Sequence, residues 1–139
     1  MIALIAFLTC LAFVVLALWH FRMAFLPETG ESAAVPSVDG KPLFVPSRTA
    51  TLFVGAALLA CAALVATTAG LFWVGVPHKL LSWISYGLGF GLMARGIGDF
   101  RYVGLFKRVR GSPFARMDTR LYSPLCLLLA AGVFLVAVQ

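Results

Sequence analysis

The side chains best suited to chemistry are concentrated between Arg95 and Pro124. This segment, RGIGDFRYVGLFKRVRGSPFARMDTRLYSP, holds seven of the eleven Lys and Arg residues of the chain and two of its five acidic residues. Guanidinium groups bind phosphate and carboxylate through paired, charge-assisted hydrogen bonds. The segment therefore indicates a binding site for a group that carries negative charge.

The arginines of this segment have a spacing that can bring them together. Arg116 and Arg120 are four residues apart and share one face if the chain between them is helical. We expect Arg95 to converge with them, while acidic neighbours orient the guanidinium groups and nearby hydroxyls add donors. The candidate ligand-binding residues are His20, Arg95, Asp99, Arg101, Tyr102, Arg116, Asp118, Arg120, Tyr122 and Ser123.

Arg95 is unusual because it lies in the last turn of an apolar run. An arginine at the centre of a membrane span costs about 2.5–3.5 kcal/mol on insertion scales. Near the end of a span this cost is smaller but remains, so Arg95 should have an acidic partner. Asp99 lies four residues away on the same helical face, and Asp118 is the other candidate.

Three interpretations of the segment remain open. In the first, its positive charge and its aromatic residues only anchor the chain at lipid headgroups. In the second, it binds an anionic, lipid-like ligand without catalysis. In the third, it is part of an enzyme that acts on an amphipathic substrate through His20, Asp99, Asp118 or Tyr122, which requires His20 to lie close to the basic cluster.

The composition indicates an integral membrane protein. Of the residues, 62% are hydrophobic and only 12% are charged, and the mean hydropathy is +1.01. Soluble domains usually contain about a quarter charged residues. The basic residues lie between apolar runs and not on a polar domain, which favours lipid headgroups over nucleic acid as the anionic partner.

Four apolar runs predict a single all-α domain of residues 1–139 that forms a membrane four-helix bundle. The spans are expected at about 2–25, 49–76, 80–98 and 121–138, with a polar cap at 27–48 and a basic loop at 99–120. The VDGKP sequence within the cap is typical of a small hairpin turn. Pro124 is expected to fix the start of the last span.

The Lys and Arg residues predict the orientation of this bundle. Ten of the eleven lie in or beside the first and third connections, and only Lys79 lies in the second. Positive residues mark cytoplasmic loops. The first and third connections should therefore be cytoplasmic and both termini outside, on the periplasmic side of the cell inner membrane, in a multi-pass protein.

The sequence gives no indication of a metal or other cofactor. His20 and His78 fall at opposite membrane faces in this topology, and no HxxxH or CxxC spacing is present. Cys10, Cys61 and Cys126 each lie in a different apolar run, which is typical of free, buried thiols and not of a disulfide framework.

Gly87 and Gly91 form a GxxxG pair in the third run. This spacing lets two helix backbones approach closely in lipid. The pair predicts packing against another helix of the same bundle. The alternatives are a homodimer seam, as in a small dimeric transporter or a larger membrane complex, and a groove for a flat apolar ligand.

The sequences GDFRYVGLFKRVRGSPFARMDTRLYSPLC, LWHFRM and GKPLFVPS give the chain a family resemblance. It resembles the domain-of-unknown-function 3995 family of small bacterial integral membrane proteins. The resemblance implies a four-helix membrane protein but no established activity, so no catalytic residue is carried over. We therefore expect a non-enzymatic binding or accessory protein with an anionic-ligand or lipid-headgroup site on its cytoplasmic side.

Overall fold

The structure, a computed structural model, describes residues 1–26, 34–38 and 40–139 and is mostly helical. Part of the predicted polar cap, at residues 27–33 and 39, lies outside the described residues. The elements in chain order are α1 (Ile2–Phe25), β1 (Ser37–Val38), β2 (Lys41–Pro42), α2 (Arg48–Thr68), α3 (His78–Ile97), α4 (Pro113–Met117), a π-helical turn (Asp118–Tyr122) and α5 (Ser123–Ala137).

Three helical segments are long and apolar enough to cross a membrane. They are Ile2–Phe25, Arg48–Thr68 and the continuous run Pro113–Ala137. Many of their large apolar side chains point away from the protein, as expected for helices whose surroundings are lipid. The first segment matches the predicted span at 2–25. The helix α3 is of similar length, but it carries Lys79 and Arg95 and does not belong to this apolar class.

The helix α2 ends at Thr68, whereas its span was predicted to continue to residue 76. The chain leaves the helix through Gly70, whose φ is +72°. The N–H of Leu71 donates to the Ala66 carbonyl at 3.0 Å and the N–H of Gly70 to the Thr67 carbonyl at 3.0 Å. This pair of bonds is a Schellman motif. Residues 71–76 are apolar but not helical, so hydropathy alone overestimated the length of the helix.

The last helical run begins at Pro113, eight residues before the predicted start at 121. Ser112 caps it, since its Oγ accepts the N–H of Ala115 at 3.0 Å, and Pro113 occupies the first turn. Pro124 instead follows the π-helical turn and lies in the first turn of α5. A proline has no N–H and crowds the carbonyl one turn earlier, which accounts for the widened turn before it.

The helices pack as two antiparallel pairs, α1 with α2 and α3 with α5, and α1 also contacts α5. Cys10 Sγ donates to the Ala62 carbonyl at 3.4 Å across the first pair. Thr68 and Ser85 share a buried hydroxyl bond of 3.0 Å that joins α2 to α3. The buried core comprises Ala6, Phe13, Ala62, Val65, Leu129, Val133 and Val136.

The predicted hairpin is confirmed. Ser37 pairs with Pro42 and Val38 with Lys41 in an antiparallel register. Gly40 has a φ of +74°, which supplies the left-handed position that a two-residue hairpin turn needs.

Gly87 and Gly91 do not form the helix contact predicted for them within the chain. A Cβ on either residue would meet no atom within 4 Å in the part of the chain that is described. The close approach is made by two other glycines of α3. A Cβ on Gly89 would lie 2.5 Å from Phe134 Cε1, and one on Gly96 would lie 2.7 Å from Leu127 Cδ2. The seam between α3 and α5 therefore follows Gly89 and Gly96.

Candidate functional site

The connection between α3 and α4, residues 98–112, is shaped by two glycines whose backbones touch. Gly98 has a φ of +102° and Gly104 a φ of +95°. A Cβ on Gly104 would clash with the backbone of Gly98 and with the Ile97 carbonyl oxygen. The Leu105 N–H also donates to the Gly96 carbonyl at 3.0 Å. The connection thus folds back onto the end of α3.

Asp99 organises this turn and does not pair with Arg95. Its Oδ1 accepts three backbone N–H groups, from Arg101 at 2.9 Å, Tyr102 at 2.7 Å and Val103 at 2.9 Å. The bond from Val103 is the main cause that holds the pKa of the Asp99 carboxyl below its ordinary value, and the other two act in the same direction. The carboxylate therefore stabilises the loop backbone.

The partner of Arg95 is Asp118, the second of its two candidates. Arg95 Nη2 donates to Asp118 Oδ1 at 2.8 Å, and Asp118 is completely buried. Its other oxygen, Oδ2, accepts the Gly104 N–H at 2.8 Å and Lys107 Nζ at 2.9 Å. One carboxylate thus joins α3, the connection and the last helical run.

Lys107 is the least expected member of this arrangement, because its side chain is only 1% exposed. Its ammonium group makes three hydrogen bonds, to the Gly104 carbonyl at 2.8 Å, Asp118 Oδ2 at 2.9 Å and Thr119 Oγ1 at 2.7 Å. An ammonium has three donors, so all three are satisfied. We call Arg95, Lys107 and Asp118 the buried ion cluster.

The buried ion cluster contains two cations and one anion. Its second guanidinium nitrogen, Arg95 Nη1, is buried and has no hydrogen-bond partner among the described residues. The Ser123 hydroxyl in the same part of the molecule is also buried and unpaired there. The Ser123 carbonyl oxygen packs at 3.2 Å from the position of a Cβ on Gly96, the residue next to Arg95. The α3–α5 junction therefore retains unused hydrogen-bonding capacity.

Three exposed arginines surround a shallow, open depression of about 210 Å³, whose lining residues are close in sequence to Lys107 and Asp118. Its lining residues, here called the arginine surface, are Arg110, Gly111, Ala115, Arg116, Thr119 and Arg120. Arg116 Nη1 donates to the Gly111 carbonyl at 2.7 Å, and Arg110 Nε donates to the Lys107 carbonyl at 3.2 Å. Backbone carbonyls therefore position two of the three guanidinium groups.

The sequence predicted that Arg116 and Arg120 share one face. Both lie on the last helical run and line the same depression. Arg95 is not among the lining residues, because its guanidinium group is directed to Asp118. The basic residues thus serve two purposes. Lys107 and the partly exposed Arg95 bind the buried carboxylate of Asp118, and Arg110, Arg116 and Arg120 form a surface.

The exposed arginines of the connection and of the last helical run have no carboxylate to neutralise them within the described ranges. Asp99 and Asp118 are the acidic residues there, and both ion pairs in those ranges use Asp118. Asp99 accepts backbone N–H groups instead. The exposed arginines are Arg101, Arg108, Arg110, Arg116 and Arg120. This surface is therefore strongly positive.

Aromatic and apolar side chains accompany the positive charge. Phe100, Phe106 and Leu121 are exposed, at 58%, 63% and 48%. The Arg101 guanidinium lies 5.1 Å from the centre of the Tyr102 ring. Apolar groups beside exposed cations are typical of a surface at the boundary between lipid headgroups and acyl chains.

His20 is half-buried, and its ring bonds to its own helix. Nδ1 lies 2.7 Å from the Leu16 carbonyl oxygen, so that nitrogen carries a proton and donates. No described residue of the connection hydrogen-bonds to His20. Among the described residues, no hydrogen bond joins His20 to Asp99 or Asp118.

No metal centre is formed within the described residues, where no group of three or more His, Cys, Asp or Glu side chains could hold an ion. Cys10, Cys61 and Cys126 are free thiols, and each is only partly buried, whereas the sequence predicted buried ones. His78 has a local role instead. Its Nε2 donates to the Thr68 carbonyl at 3.1 Å and so caps the end of α2.

Two important residues were not predicted from the sequence. Lys107 was interpreted only as a contribution to the positive charge, and nothing in its spacing distinguishes it from the exposed Arg108. Arg110 was not a candidate ligand-binding residue although it lines the arginine surface. The Gly111 and Ser112 that follow it are a turn signal, and that signal could have placed Arg110 next to Arg116.

Together these features define a small, mostly helical protein whose apolar helices are suited to a membrane and whose most polar connection is tied by a buried ion cluster. The chain matches the family described as "Protein of unknown function (DUF3995)" over residues 13–133. It belongs to that family. Neither the curated proteins nor the solved structures contain a significant match.

Proposed function

We propose that this protein is a multi-pass protein of the bacterial inner membrane that binds the headgroup of an anionic phospholipid at its arginine surface. It acts as a binding or accessory protein and not as an enzyme. The observation that carries the proposal is the shallow depression lined by Arg110, Arg116 and Arg120, whose positive charge no nearby carboxylate of the described residues neutralises.

The proposal includes four membrane spans, with α3 as the third. Exposed Trp83, Ile84 and Phe90 support this assignment, because a helix with these side chains on its outer face is better placed in lipid than in water. The polar residues of α3 face inward or lie at its ends, as Ser85 and Arg95 do. At about 1.5 Å per residue, its 20 residues give a length of about 30 Å.

The proposed orientation puts the first and third connections in the cytoplasm and both termini outside. Gly132 of α5 packs against Thr9 of α1, which supports an antiparallel arrangement of these two helices. The end of α1 and the start of the last helical run then lie on the same side. Ten of the eleven Lys and Arg residues fall on that side, as the positive-inside rule requires.

The ligand chemistry follows from the arginines. A phosphodiester offers oxygen acceptors that suit guanidinium groups. The depression lies on a helical run that continues into the membrane, so the acyl chains of a bound lipid could extend along the exposed side chain of Leu121. The depression is open, which suits a lipid that enters from the surrounding leaflet.

The proposal can be tested by measuring lipid enrichment around the protein. The protein is reconstituted in phosphatidylcholine nanodiscs that contain a small fraction of phosphatidylglycerol. One of the two lipids carries an acceptor for tryptophan fluorescence. Energy transfer to labelled phosphatidylglycerol should exceed transfer to labelled phosphatidylcholine for the wild type, because counter-charge attraction enriches anionic lipid at the arginine surface.

Two double variants provide a matched comparison. Arg116→Gln with Arg120→Gln removes two charges from the arginine surface. Arg101→Gln with Arg108→Gln removes two exposed charges from the connection 98–112, outside the depression. The first pair should abolish most of the phosphatidylglycerol enrichment, and the second should retain most of it.

Two results would contradict the proposal. Equal losses in both double variants would show that diffuse positive charge attracts the lipid and that the depression is no site. Unchanged enrichment in both would show that none of these four arginines selects the lipid. Circular dichroism of each variant checks that the helices remain folded.

A further inference from the structure

The connection between α2 and α3, residues 69–77, exposes a set of large apolar side chains. Leu71, Phe72, Trp73 and Val74 are 48%, 66%, 90% and 52% exposed, and Val76 is 37% exposed. The sequence contains no charged residue between Arg48 and Lys79. A loop in water seldom exposes so much contiguous apolar surface, so this apolar connection needs an occupant for that surface.

The backbone of the apolar connection limits how deep it can lie. The N–H groups from Phe72 to Val76 make no hydrogen bond within the described ranges. A lipid-exposed backbone without internal hydrogen bonds does not occur in the hydrocarbon core, where each unsatisfied group costs several kcal/mol. These groups therefore need water or headgroup oxygens as partners.

The lengths of the flanking helices give the same depth. At about 1.5 Å per residue, the 21 residues of α2 extend about 31 Å, close to the thickness of a hydrocarbon core. The apolar connection begins after Thr68, where α2 has already crossed about the full thickness of the hydrocarbon core. His78 Nε2 bonds to the Thr68 carbonyl, so the start of α3 lies at the same level as the end of α2.

We propose that residues 69–77 form an interfacial anchor, a non-helical apolar loop that lies at the headgroup–acyl boundary of the leaflet opposite to the arginine surface. Trp73 lies at its tip. The occupant of the exposed surface is the phospholipid leaflet itself, which is continuous with the lipid around α2. Tryptophan is enriched at this boundary because its ring is apolar while its N–H needs a polar partner.

The two faces of the protein would then meet the membrane differently. The arginine surface attracts lipid by charge, whereas the apolar connection binds any phospholipid leaflet, whether neutral or anionic. The anchor rests only on the membrane insertion included in the proposed function and does not depend on the lipid-headgroup site. The two proposals can therefore fail separately.

The test uses single-tryptophan proteins in phosphatidylcholine vesicles. Trp19→Phe with Trp83→Phe leaves only Trp73, and Trp19→Phe with Trp73→Phe leaves only Trp83. The quenchers are lipids brominated near the headgroup, lipids brominated near the end of the acyl chain, and aqueous iodide. Trp83 is 65% exposed and lies five residues into α3, and so serves as the control for a deeper position.

We expect the emission of Trp73 to be shifted to the blue and to be quenched more by lipid brominated near the headgroup than by lipid brominated deep in the chain. Trp83 should show a greater share of quenching from the deep bromines. Red-shifted Trp73 emission with strong quenching by iodide would place the loop in water and overturn the anchor. Protection of Trp73 from all three quenchers would also overturn it, because another protein or a second copy would then cover the loop.

Quenching of Trp83 by brominated lipid reports membrane insertion independently of Trp73. If neither tryptophan is quenched by lipid, insertion itself is wrong and both proposals fail. If only Trp73 is not quenched by lipid, the anchor alone is wrong. The arginine surface is unchanged in these variants, so the measurement of phosphatidylglycerol enrichment is unaffected by this result.

Discussion

Asp118→Asn is the substitution that most directly tests the buried ion cluster. Asparagine keeps the size of the side chain but removes its charge. Two cations, Arg95 and Lys107, then share a site with no anion. The new amide group also presents N–H donors where Oδ2 now accepts Lys107 Nζ and the Gly104 N–H. Donors would therefore face donors in the interior.

The expected loss of stability is large because two of the groups are buried. Asp118 is 0% exposed and the Lys107 side chain is 1% exposed. Removing one partner of a buried ion pair typically costs about 3–5 kcal/mol, since the remaining charge is left without compensation. Arg95 is 35% exposed and can turn toward water or headgroups, so its part of the loss should be the smaller one.

The assay is equilibrium unfolding of the detergent-solubilised protein, followed by circular dichroism. Asp99→Asn is the matched control, because it makes the same change in net charge in the connection that Asp118 ties to the last helical run. Asp99 is exposed and bonds only to backbone N–H groups, and the Oδ1 of an asparagine can still accept them, so this control should lose less than about 1 kcal/mol of stability.

A third variant separates charge from packing. Asp118→Asn combined with Lys107→Met removes the uncompensated ammonium and keeps most of its volume. Replacing a buried ion pair by apolar groups of similar size is often nearly neutral. The double variant should therefore be more stable than Asp118→Asn alone. Two results would contradict this explanation. One is an Asp118→Asn protein that is no less stable than Asp99→Asn, and the other is a further loss of stability when Lys107→Met is added to Asp118→Asn.

Three further predictions concern the elements around the cluster. The pKa of the Asp99 carboxyl is lowered in the folded protein, so the stability that the carboxylate contributes should be complete above the ordinary carboxyl pKa and should be lost as the pH falls through the lowered value. Hydrogen-exchange protection of the Val103 amide should decrease over the same pH range in the wild type but not in Asp99→Asn. Gly104→Ala should lower the free energy of unfolding by more than the cost of about 1–3 kcal/mol for a strained φ, because the new Cβ also meets the Gly98 backbone. An unfolding midpoint equal to that of the wild type would contradict this. Gly96→Ala should lower the free energy of unfolding by about 1–3 kcal/mol, because its Cβ would overpack the contact with Leu127. Gly91→Ala, whose Cβ meets no described atom within 4 Å, should be neutral or stabilising by up to about 1 kcal/mol in the same assay.

Hydropathy predicted where apolar helices occur better than where they end. The helix Ile2–Phe25 has the bounds that were predicted for the first span, because the uncharged run from Ile2 ends just before a basic residue and a proline. The end of α2 was not, because the sequence after Thr68 stays apolar while the chain turns at Gly70. Local backbone conformation decides that boundary, and a hydrophobicity average cannot detect it.

The candidate site shows the same division between local and tertiary information. The spacing of Arg116 and Arg120 predicted that they share a surface, because helical periodicity is a local property. The burial of Lys107 depends on the backbone contact between Gly98 and Gly104, which brings the connection over Asp118. A contact between distant residues leaves no periodic pattern in the sequence. The GxxxG spacing of Gly87 and Gly91 predicted a helix contact within the bundle, but the glycines of α3 that pack closely against α5 are Gly89 and Gly96.

The proposed function requires that the arginine surface bind one anionic lipid as a defined ligand. Native mass spectrometry of the wild-type protein, released from bilayers of mixed phosphatidylcholine and phosphatidylglycerol, tests it most directly. The proposed lipid site predicts a single retained phosphatidylglycerol that is lost in the Arg116→Gln, Arg120→Gln variant, because that variant removes two of the guanidinium groups that line the depression. Adducts in the proportion of the bilayer composition, identical for the wild type and the variant, would contradict it.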